Sequence, residues 1–242
     1  RLRQAVESTA VLHDGVTIAF AYDGDGNRRY RSDGTTVTRF VYDGPTVLAE
    51  TNDGGATTAR YTHFADLYGR LVSQQRGGTS RWFMSDDMGN VRQLTNSSAQ
   101  VTDTYATDAW GGELNTMGAT TNPYRYMGRY GYYDDDVTGL MLLGARHCDP
   151  VVGRFVTEDP IGCQQVLAHE AVAACHLPKV SNWYSYADGD PSNRSDPSGL
   201  AACVGTRSEY KAPGWPFRIP QLEGEFSSRY RREHKGCAHL CK

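Results

Sequence analysis

The chain has 242 residues, with 25 Lys and Arg against 28 Asp and Glu, so its net charge is −3. This length allows a hydrophobic core without metal or disulfide cross-links, and the near balance of charge gives no reason to expect a whole-chain nucleic-acid or membrane-surface role. The content of 39% hydrophobic and 22% charged residues excludes disorder and a coiled coil as the main architecture. No apolar run approaches the roughly 20 residues of a membrane-spanning helix.

Segments rich in Val, Thr, Tyr and Phe alternate with Asp-Gly and Gly-Asn turns from residue 16 to about residue 115. This alternation is typical of consecutive β-hairpins and predicts an antiparallel all-β meander. Tyr22-Asp23 followed by Gly26-Asn27-Arg28 recurs in variants at Tyr42-Asp43-Gly44 and at Ser85-Asp86 with Gly89-Asn90. A period of roughly 20 residues indicates stacked hairpins. The clearest predicted strands are 16–22, 36–42, 59–64, 81–84 and 91–95.

The charge balance changes after Leu200. Residues 1–200 contain 17 Lys and Arg against 24 Asp and Glu, whereas residues 201–242 contain 8 against 4. We therefore expect a boundary near Leu200, followed by a basic tail that either binds nucleic acid or forms a solvated basic helix. Because the chain begins at Arg1 and not at Met, we also expect it to be part of a longer protein.

Cysteine and histidine residues are concentrated in the second half of the chain. The spacing of the six cysteines leaves any disulfide pairing open. Two groups contain metal-capable side chains, but helical spacing would not bring the first onto one face, and the second lacks a separate ligand pair. We therefore predict no metal site and no cofactor. The first group is Cys163, His169, Cys175 and His176, and the second is His234, Cys237, His239 and Cys241.

A second set of motifs, in fixed order, occupies the chain from Tyr124 onward. Their order and spacing resemble the RHS repeat-associated core, and the upstream hairpin repeat resembles the YD repeats of the same family. That family covers bacterial polymorphic toxins, C components of insecticidal toxins and, more distantly, animal teneurins. The motifs are Tyr126-Met127-Gly128-Arg129, Asp136-Val137-Thr138-Gly139-Leu140, Ala145-Arg146-His147-Cys148-Asp149-Pro150, Gly153-Arg154-Phe155, Asp159-Pro160-Ile161-Gly162, Asn182-Trp183-Tyr184-Ser185-Tyr186 and Asp196-Pro197-Ser198-Gly199-Leu200.

The resemblance implies an all-β fold in which YD-repeat strands spiral into a hollow shell that the core plugs at one end. It divides the chain into a YD-repeat segment at 1–123, a core at 124–200 and a variable C-terminal tail at 201–242. The chain departs from the family pattern by an insertion at 163–180. Residues 164–177 contain no Gly or Pro, so we predict a short helix there.

Two aspartates, Asp159 and Asp196, each open an Asp-Pro-x-Gly tetrapeptide. From the residues alone, this pattern is typical of a type I turn whose carboxylate accepts local backbone N–H groups. The resemblance implies a second role, because many RHS cores cleave themselves with two aspartates just after the Leu of the final motif. It implies that Asp159 and Asp196 form the acid pair and that Leu200-Ala201 is the cleavage site. One carboxyl group would then hold a proton while the other activates water.

Arg146 matches the arginine that is associated with cleavage in the family. It would orient a catalytic carboxylate or stabilise developing charge, or it would tie a strand to a turn without a chemical role. Arg154 immediately precedes the strand that leads to the first acid turn, and we interpret it as structural.

The resemblance further implies a secreted or cell-surface bacterial protein whose shell encloses its own C-terminal effector peptide. A secretion system or a protein that completes the shell would be its partner. Two alternatives remain open: a non-catalytic adhesion scaffold, and a tail that itself binds nucleic acid as a toxin. Convergence of Asp159 and Asp196 would favour the self-cleaving protease, and separate exposed turns would favour the scaffold.

Overall fold

The computed structural model describes residues 6–11, 17–65, 70–159, 182–200 and 203–204. Within these ranges the chain is built from antiparallel strands and contains no α-helix, only two single-turn 3-10 helices at Gly128–Tyr130 and Ala187–Gly189. The all-β prediction is therefore confirmed. The predicted helix at 164–177 and both predicted Cys and His groups lie outside the described residues.

The first sheet has eleven strands in sequence order, so each strand pairs with the strand before it and the strand after it. All five strands predicted above lie in this sheet, shifted by at most two residues at either end. The strands are β1 (Val6–Val11), β2 (Thr17–Tyr22), β3 (Arg28–Ser32), β4 (Val37–Asp43), β5 (Thr46–Thr51), β6 (Thr57–His63), β7 (Leu71–Arg76), β8 (Thr79–Ser85), β9 (Val91–Thr95), β10 (Val101–Thr107) and β11 (Glu113–Met117).

The YD-type motif forms a turn that its own aspartate holds together. The Oδ1 atom of Asp23 accepts the backbone N–H groups of Asp25 and Asn27 at 3.0 and 2.9 Å, and Oδ2 accepts Nε of Arg29 at 2.8 Å. Although burial raises the pKa of Asp23, these hydrogen bonds hold it below its usual value. The carboxylate therefore accepts hydrogen bonds from backbone N–H groups of the turn, in place of a carbonyl oxygen on a neighbouring strand.

Asp86, between β8 and β9, makes two of the contacts that Asp23 makes between β2 and β3. It accepts the backbone N–H of Asn90 at 2.9 Å and Nε of Arg92 at 2.8 Å. In each of these turns the N–H of the opening residue donates to the carbonyl oxygen of the fifth residue, and the N–H of the fourth residue donates to the carbonyl oxygen of the first. An Asn or Asp opens a turn with these two backbone hydrogen bonds at three further positions, so the sequence repeat is also a structural repeat. These positions are Asn52, Asn96 and Asp108.

The second sheet contains four strands that follow one another as hairpins: β12 (Tyr133–Asp135), β13 (Leu140–Leu143), β14 (Arg146–Asp149) and β15 (Arg154–Phe155). Its apolar side chains join those of neighbouring loops in one buried cluster, and a second cluster is built mainly from side chains of β6 to β10. The first cluster includes Tyr126, Tyr132, Met141, Leu143, Cys148, Phe155 and Tyr186. Burial raises the pKa of the Cys148 thiol to about 12, so the thiol stays protonated.

A third, two-stranded sheet pairs β16 (Arg194–Ser195) with β17 (Cys203–Val204) in antiparallel register. In the part of the chain that the structure describes, no helix is long and apolar enough to cross a membrane.

Candidate active site

Arg146 lies at the start of β14, where the β13–β14 turn meets the loop that follows β16. The two backbones touch: the N–H of Ala145 donates to the carbonyl oxygen of Ser198 at 3.0 Å. Gly199 has a φ of +68°, and a Cβ atom there would lie 2.0 Å from the carbonyl oxygen of Leu143. Only glycine fits this approach, which sets the second Asp-Pro-x-Gly motif directly against β14.

The guanidinium group of Arg146 is almost fully buried, with 4% of its side chain exposed. Its Nε atom donates to the carbonyl oxygen of Gly199, and Nη1 donates to that of Trp183 at 3.0 Å. The plane of the group lies over the ring of Phe155, 3.6 Å from the ring centroid. Arg146 therefore ties together β14, the aromatic segment at 182–186 and the loop at 196–200, which is called the final loop.

The third arm of Arg146 brings the two predicted aspartates together. Its Nη2 atom lies 3.1 Å from Oδ2 of Asp159 and 3.4 Å from Oδ2 of Asp196. Because both oxygens contact one nitrogen atom, they cannot be farther apart than the sum of these two distances. Asp196 has 3% of its side chain exposed and Asp159 has 23%. The carboxyl groups thus converge, and the Asp159 carboxyl is the one open to solvent.

Two opposing effects act on the pKa of Arg146. Burial lowers the pKa of Arg146, while the negative charges of Asp159 and Asp196 act to raise it. The guanidinium cation lies between two carboxylates and offsets part of the repulsion between them.

Asp196 also forms the turn that the residue pattern predicts. Its Oδ1 atom accepts the backbone N–H of Leu200 at 3.0 Å and the hydroxyl of Ser198 at 3.2 Å, while its carbonyl oxygen accepts the N–H of Gly199 at 3.0 Å. The carboxylate therefore touches the residue on the amino side of the predicted cleavage site. Ala201, on the other side, lies outside the described residues.

A buried tyrosine fixes the backbone of Asp196. The N–H of Asp196 donates to the hydroxyl oxygen of Tyr132 at 2.9 Å. Burial, followed by the charge of Asp196, raises the pKa of Tyr132 well above its usual value, so its hydroxyl stays protonated and able to donate.

The ring of Tyr132 packs against the ring of Tyr186, with centroids 6.5 Å apart. The hydroxyls of Tyr186 and Tyr126 lie 3.3 Å apart, and the Tyr126 hydroxyl donates to the carbonyl oxygen of Ala109, between β10 and β11, at 2.8 Å. These three tyrosines therefore link the loop at Asp196 to the first sheet.

The sequence predicted Asp159, Asp196 and Arg146 as site residues, and these three meet in the structure, but it did not indicate Tyr132. The signal available was the aromatic run at 130–133, which reads as ordinary core. Arg154 is exposed and pairs through its backbone with Ser185, which agrees with a structural role. Within the described ranges no group of three or more His, Cys, Asp and Glu side chains is arranged to hold a metal ion.

The meander with its repeated turns matches a known protein family. A family model described as the teneurin YD-shell matches residues 8–192. The chain belongs to the RHS/YD-repeat family. This RHS/YD-repeat chain is 32% identical over 199 residues to the tRNA3(Ser)-specific nuclease WapA of Bacillus spizizenii, which covers 79% of this chain and 8% of that protein. It is 28% identical to the double-stranded DNA deaminase toxin A of Burkholderia cenocepacia, over 87% of this chain and 16% of that protein.

Solved structures share the fold of this RHS/YD-repeat chain. The crystal structure of TcdB2-TccC3-Cdc42 superposes with a TM-score of 0.56 at 17% identity, covering 80% of this chain and 10% of that one. The structure of TcdB2-TccC3 without its hypervariable C-terminal region gives a TM-score of 0.55 at 19% identity, with the same coverage. The chain therefore spans between 8% and 16% of the length of these relatives.

Proposed function

We propose that this chain is the C-terminal part of a secreted RHS polymorphic toxin, and that its core cleaves its own backbone after Leu200 with Asp159 and Asp196 as the acid pair. The observation that carries the proposal is the convergence of both carboxyl groups on Nη2 of Arg146, at 3.1 and 3.4 Å. The family membership supports it, since toxins are among the relatives.

In the proposed reaction the acid pair holds one proton. The ionised carboxylate takes a proton from a water molecule, which attacks the carbonyl carbon of Leu200. The protonated carboxyl group gives its proton to the amide nitrogen of Ala201 as the peptide bond breaks. The products are a free carboxyl terminus at Leu200 and a free amine at Ala201, and the pair again holds one proton.

Arg146 acts in this proposal as an orienting residue. All three of its nitrogen atoms are already engaged, two with backbone carbonyls and one with the acid pair. Such a fixed fork holds carboxylates in one geometry. These contacts account for four of the five N–H donors of the group, so orientation explains them better than transition-state stabilisation.

Cleavage after Leu200 would separate the tail at 201–242 from the rest of the chain. We propose that the YD-repeat segment at 1–123 contributes strands to a hollow shell, that the core at 124–200 closes it and that the tail at 201–242 begins an enclosed effector. The tail carries 8 Lys and Arg against 4 Asp and Glu. Two relatives are a tRNA nuclease and a DNA deaminase, which supports nucleic acid as a target class for the effector. Other toxin components would complete the shell or deliver it.

A non-catalytic scaffold is the second candidate, and one observation favours it. The hydrogen bonds that Oδ1 of Asp196 accepts from Leu200 and Ser198 are those of a turn residue. They would form whether or not the chain is cleaved.

Isosteric variants of the acid pair separate the two candidates. The full chain and the variants Asp159→Asn and Asp196→Asn are followed over time by denaturing electrophoresis after refolding. Asp149→Asn is the matched control, because Asp149 also precedes a proline and caps its turn through the N–H of Val151 at 2.8 Å. We expect cleavage in the wild type and the control, and a loss of at least roughly 100-fold in both acid-pair variants. Equal cleavage in the wild type and all three variants would overturn the proposal. If the wild type is folded but stays intact, the non-catalytic scaffold is the function that remains.

A further inference from the structure

The chain beyond the proposed cleavage site is paired with the strand that leads into it. Ser195 pairs with Cys203 and Arg194 pairs with Val204, so β16 and β17 close a hairpin. In the sequence, the segment between the two strands contains both Asp196 and the Leu200-Ala201 bond. Cys203 and Val204 are the third and fourth residues after that bond.

Strand β16 is held firmly enough to serve as a template. Ser195 is buried, and the N–H of Arg194 donates to the carbonyl oxygen of Asp190 at 3.0 Å. The side chain of Arg194 pairs with Asp188, and the N–H of Asp196 donates to Tyr132. These contacts exist without any contribution from residues beyond 200.

The two sides of the cleavage site are therefore restrained by different means. On the amino side, the N–H of Leu200 donates to Asp196 and the carbonyl oxygen of Gly199 accepts from Arg146. On the carboxyl side, the restraint is the pairing of β17 with β16. Strand pairing uses backbone N–H and C=O groups, which every residue except proline offers equally.

We propose that β16 is a substrate subsite that binds the third and fourth residues after the cleavage site as an added antiparallel strand. This inference rests on the proposed self-cleavage and names how its substrate is recognised. The subsite accepts extended backbone and does not select side chains. Tails of different sequence are then cleaved alike, provided that these two positions are extended and keep their N–H groups. Holding the bond between two anchors also keeps it within reach of the acid pair.

Proline and alanine substitutions at the same positions test this subsite. In a two-residue antiparallel ladder, one pair exchanges hydrogen bonds and the neighbouring pair does not. We therefore expect one of Cys203→Pro and Val204→Pro to slow cleavage roughly tenfold or more, the size of the loss when one such bond and its geometry are removed. Cys203→Ala and Val204→Ala keep the N–H group and should cleave within about twofold of the wild type.

The outcomes distinguish the subsite from the chemistry that it serves. Wild-type rates in both proline variants would overturn the subsite while leaving the acid pair intact. An alanine variant that is as slow as the proline variants would show side-chain recognition and would also overturn it. If the folded wild type is not cleaved, the self-cleavage proposal fails and the subsite fails with it. Thermal unfolding of each variant confirms that the core at 124–200 remains folded.

Discussion

Arg31 holds Asp135 with both arms of its guanidinium group: Nε lies 2.7 Å from Oδ2 of the carboxylate, and Nη2 lies 2.9 Å from Oδ1. Arg31 is in β3 of the first sheet and Asp135 is in β12 of the second, 104 positions later in the chain. This bidentate pair therefore fastens the strands that carry the YD repeats to the sheet that carries Arg146.

Breaking this pair should destabilise the chain strongly. Arg31→Met leaves a buried carboxylate that has lost its bidentate partner, and we expect a loss of about 3 kcal/mol in the free energy of unfolding. Arg39→Met is the matched control, because the Arg39–Asp53 pair has the same 2.7 Å contact with 49% and 67% of its side chains exposed. Denaturant unfolding should show a change below about 1 kcal/mol for the control. Equal losses would contradict the account.

The same pair predicts an acid dependence. Burial alone would raise the pKa of Asp135, but the hydrogen bonds and charge of Arg31 outweigh it and lower the pKa below its usual value. The stabilisation is therefore fully present above the unfolded pKa of about 4 and is lost as the pH falls through the lower folded value. Urea unfolding between pH 7 and 3 should show wild type losing more stability below pH 4 than Asp135→Asn loses.

A third prediction concerns the repeated turns, at the position three residues after the opening Asn or Asp. Glycine occupies this position at Gly26, Gly55, Gly89 and Gly111, with φ between 82° and 96°, whereas Ala99 adopts a φ of 59°. Because a Cβ atom is strained there, Ala99→Gly should stabilise the chain by about 0.5–1 kcal/mol.

Gly55→Ala gives the reverse comparison in thermal or denaturant unfolding. It introduces the same strain into an exposed turn where a Cβ would meet nothing within 4 Å. We expect it to lower the free energy of unfolding by about 1 kcal/mol. A destabilised Ala99→Gly would show that the turn tolerates alanine for another reason.

A fourth prediction separates backbone strain from close approach. Gly199 and Gly139 have nearly the same φ, 68° and 69°, but a Cβ at Gly139 meets nothing within 4 Å, whereas at Gly199 it would lie 2.0 Å from the carbonyl oxygen of Leu143. Gly139→Ala should cost about 1 kcal/mol. Gly199→Ala must displace the final loop, so it should cost more and should also slow self-cleavage. Unfolding and cleavage rates measured together test this difference, and matching effects would contradict it.

The final loop also depends on Tyr132. Tyr132→Phe removes the acceptor of the Asp196 N–H and leaves that group buried, so we expect a loss of about 1–3 kcal/mol and slower cleavage. Tyr184→Phe is the control, since the Tyr184 hydroxyl donates to Glu158 at 3.1 Å on the surface. It should leave both the unfolding free energy and the cleavage rate nearly unchanged. If Tyr132→Phe behaves like this control, Tyr132 does not hold Asp196.

The strands and turns of this fold could be predicted from the sequence because they depend on local patterns. Alternating apolar residues and Asp-x-x-Gly turns specify consecutive hairpins, and an eleven-strand meander needs only contacts between sequence neighbours. The two Asp-Pro-x-Gly motifs likewise predicted turns at Asp159 and Asp196, whereas only the resemblance to the RHS core implied that the two residues pair.

The contacts that join these elements could not be predicted in the same way. Arg31 meets Asp135 across 104 positions, and Tyr132 meets Asp196 across 64. Neither pair has a local spacing that would reveal it, because both join parts of the chain that are far apart in the sequence. The two-residue strands β16 and β17 are too short to give an alternating pattern. Long-range packing thus decides how the site is held, while local pattern decides which residues can form it.

Mass spectrometry of the freshly purified full chain, denatured so that a bound tail separates, tests the central proposal most directly. The account predicts one fragment that ends at Leu200 and another that begins with a free amine at Ala201, and neither fragment in an Asp196→Asn preparation of the same age. An intact wild type in a folded sample would contradict the account. The same cut in the Asp196→Asn variant would contradict it equally, because another agent would then have cleaved the bond.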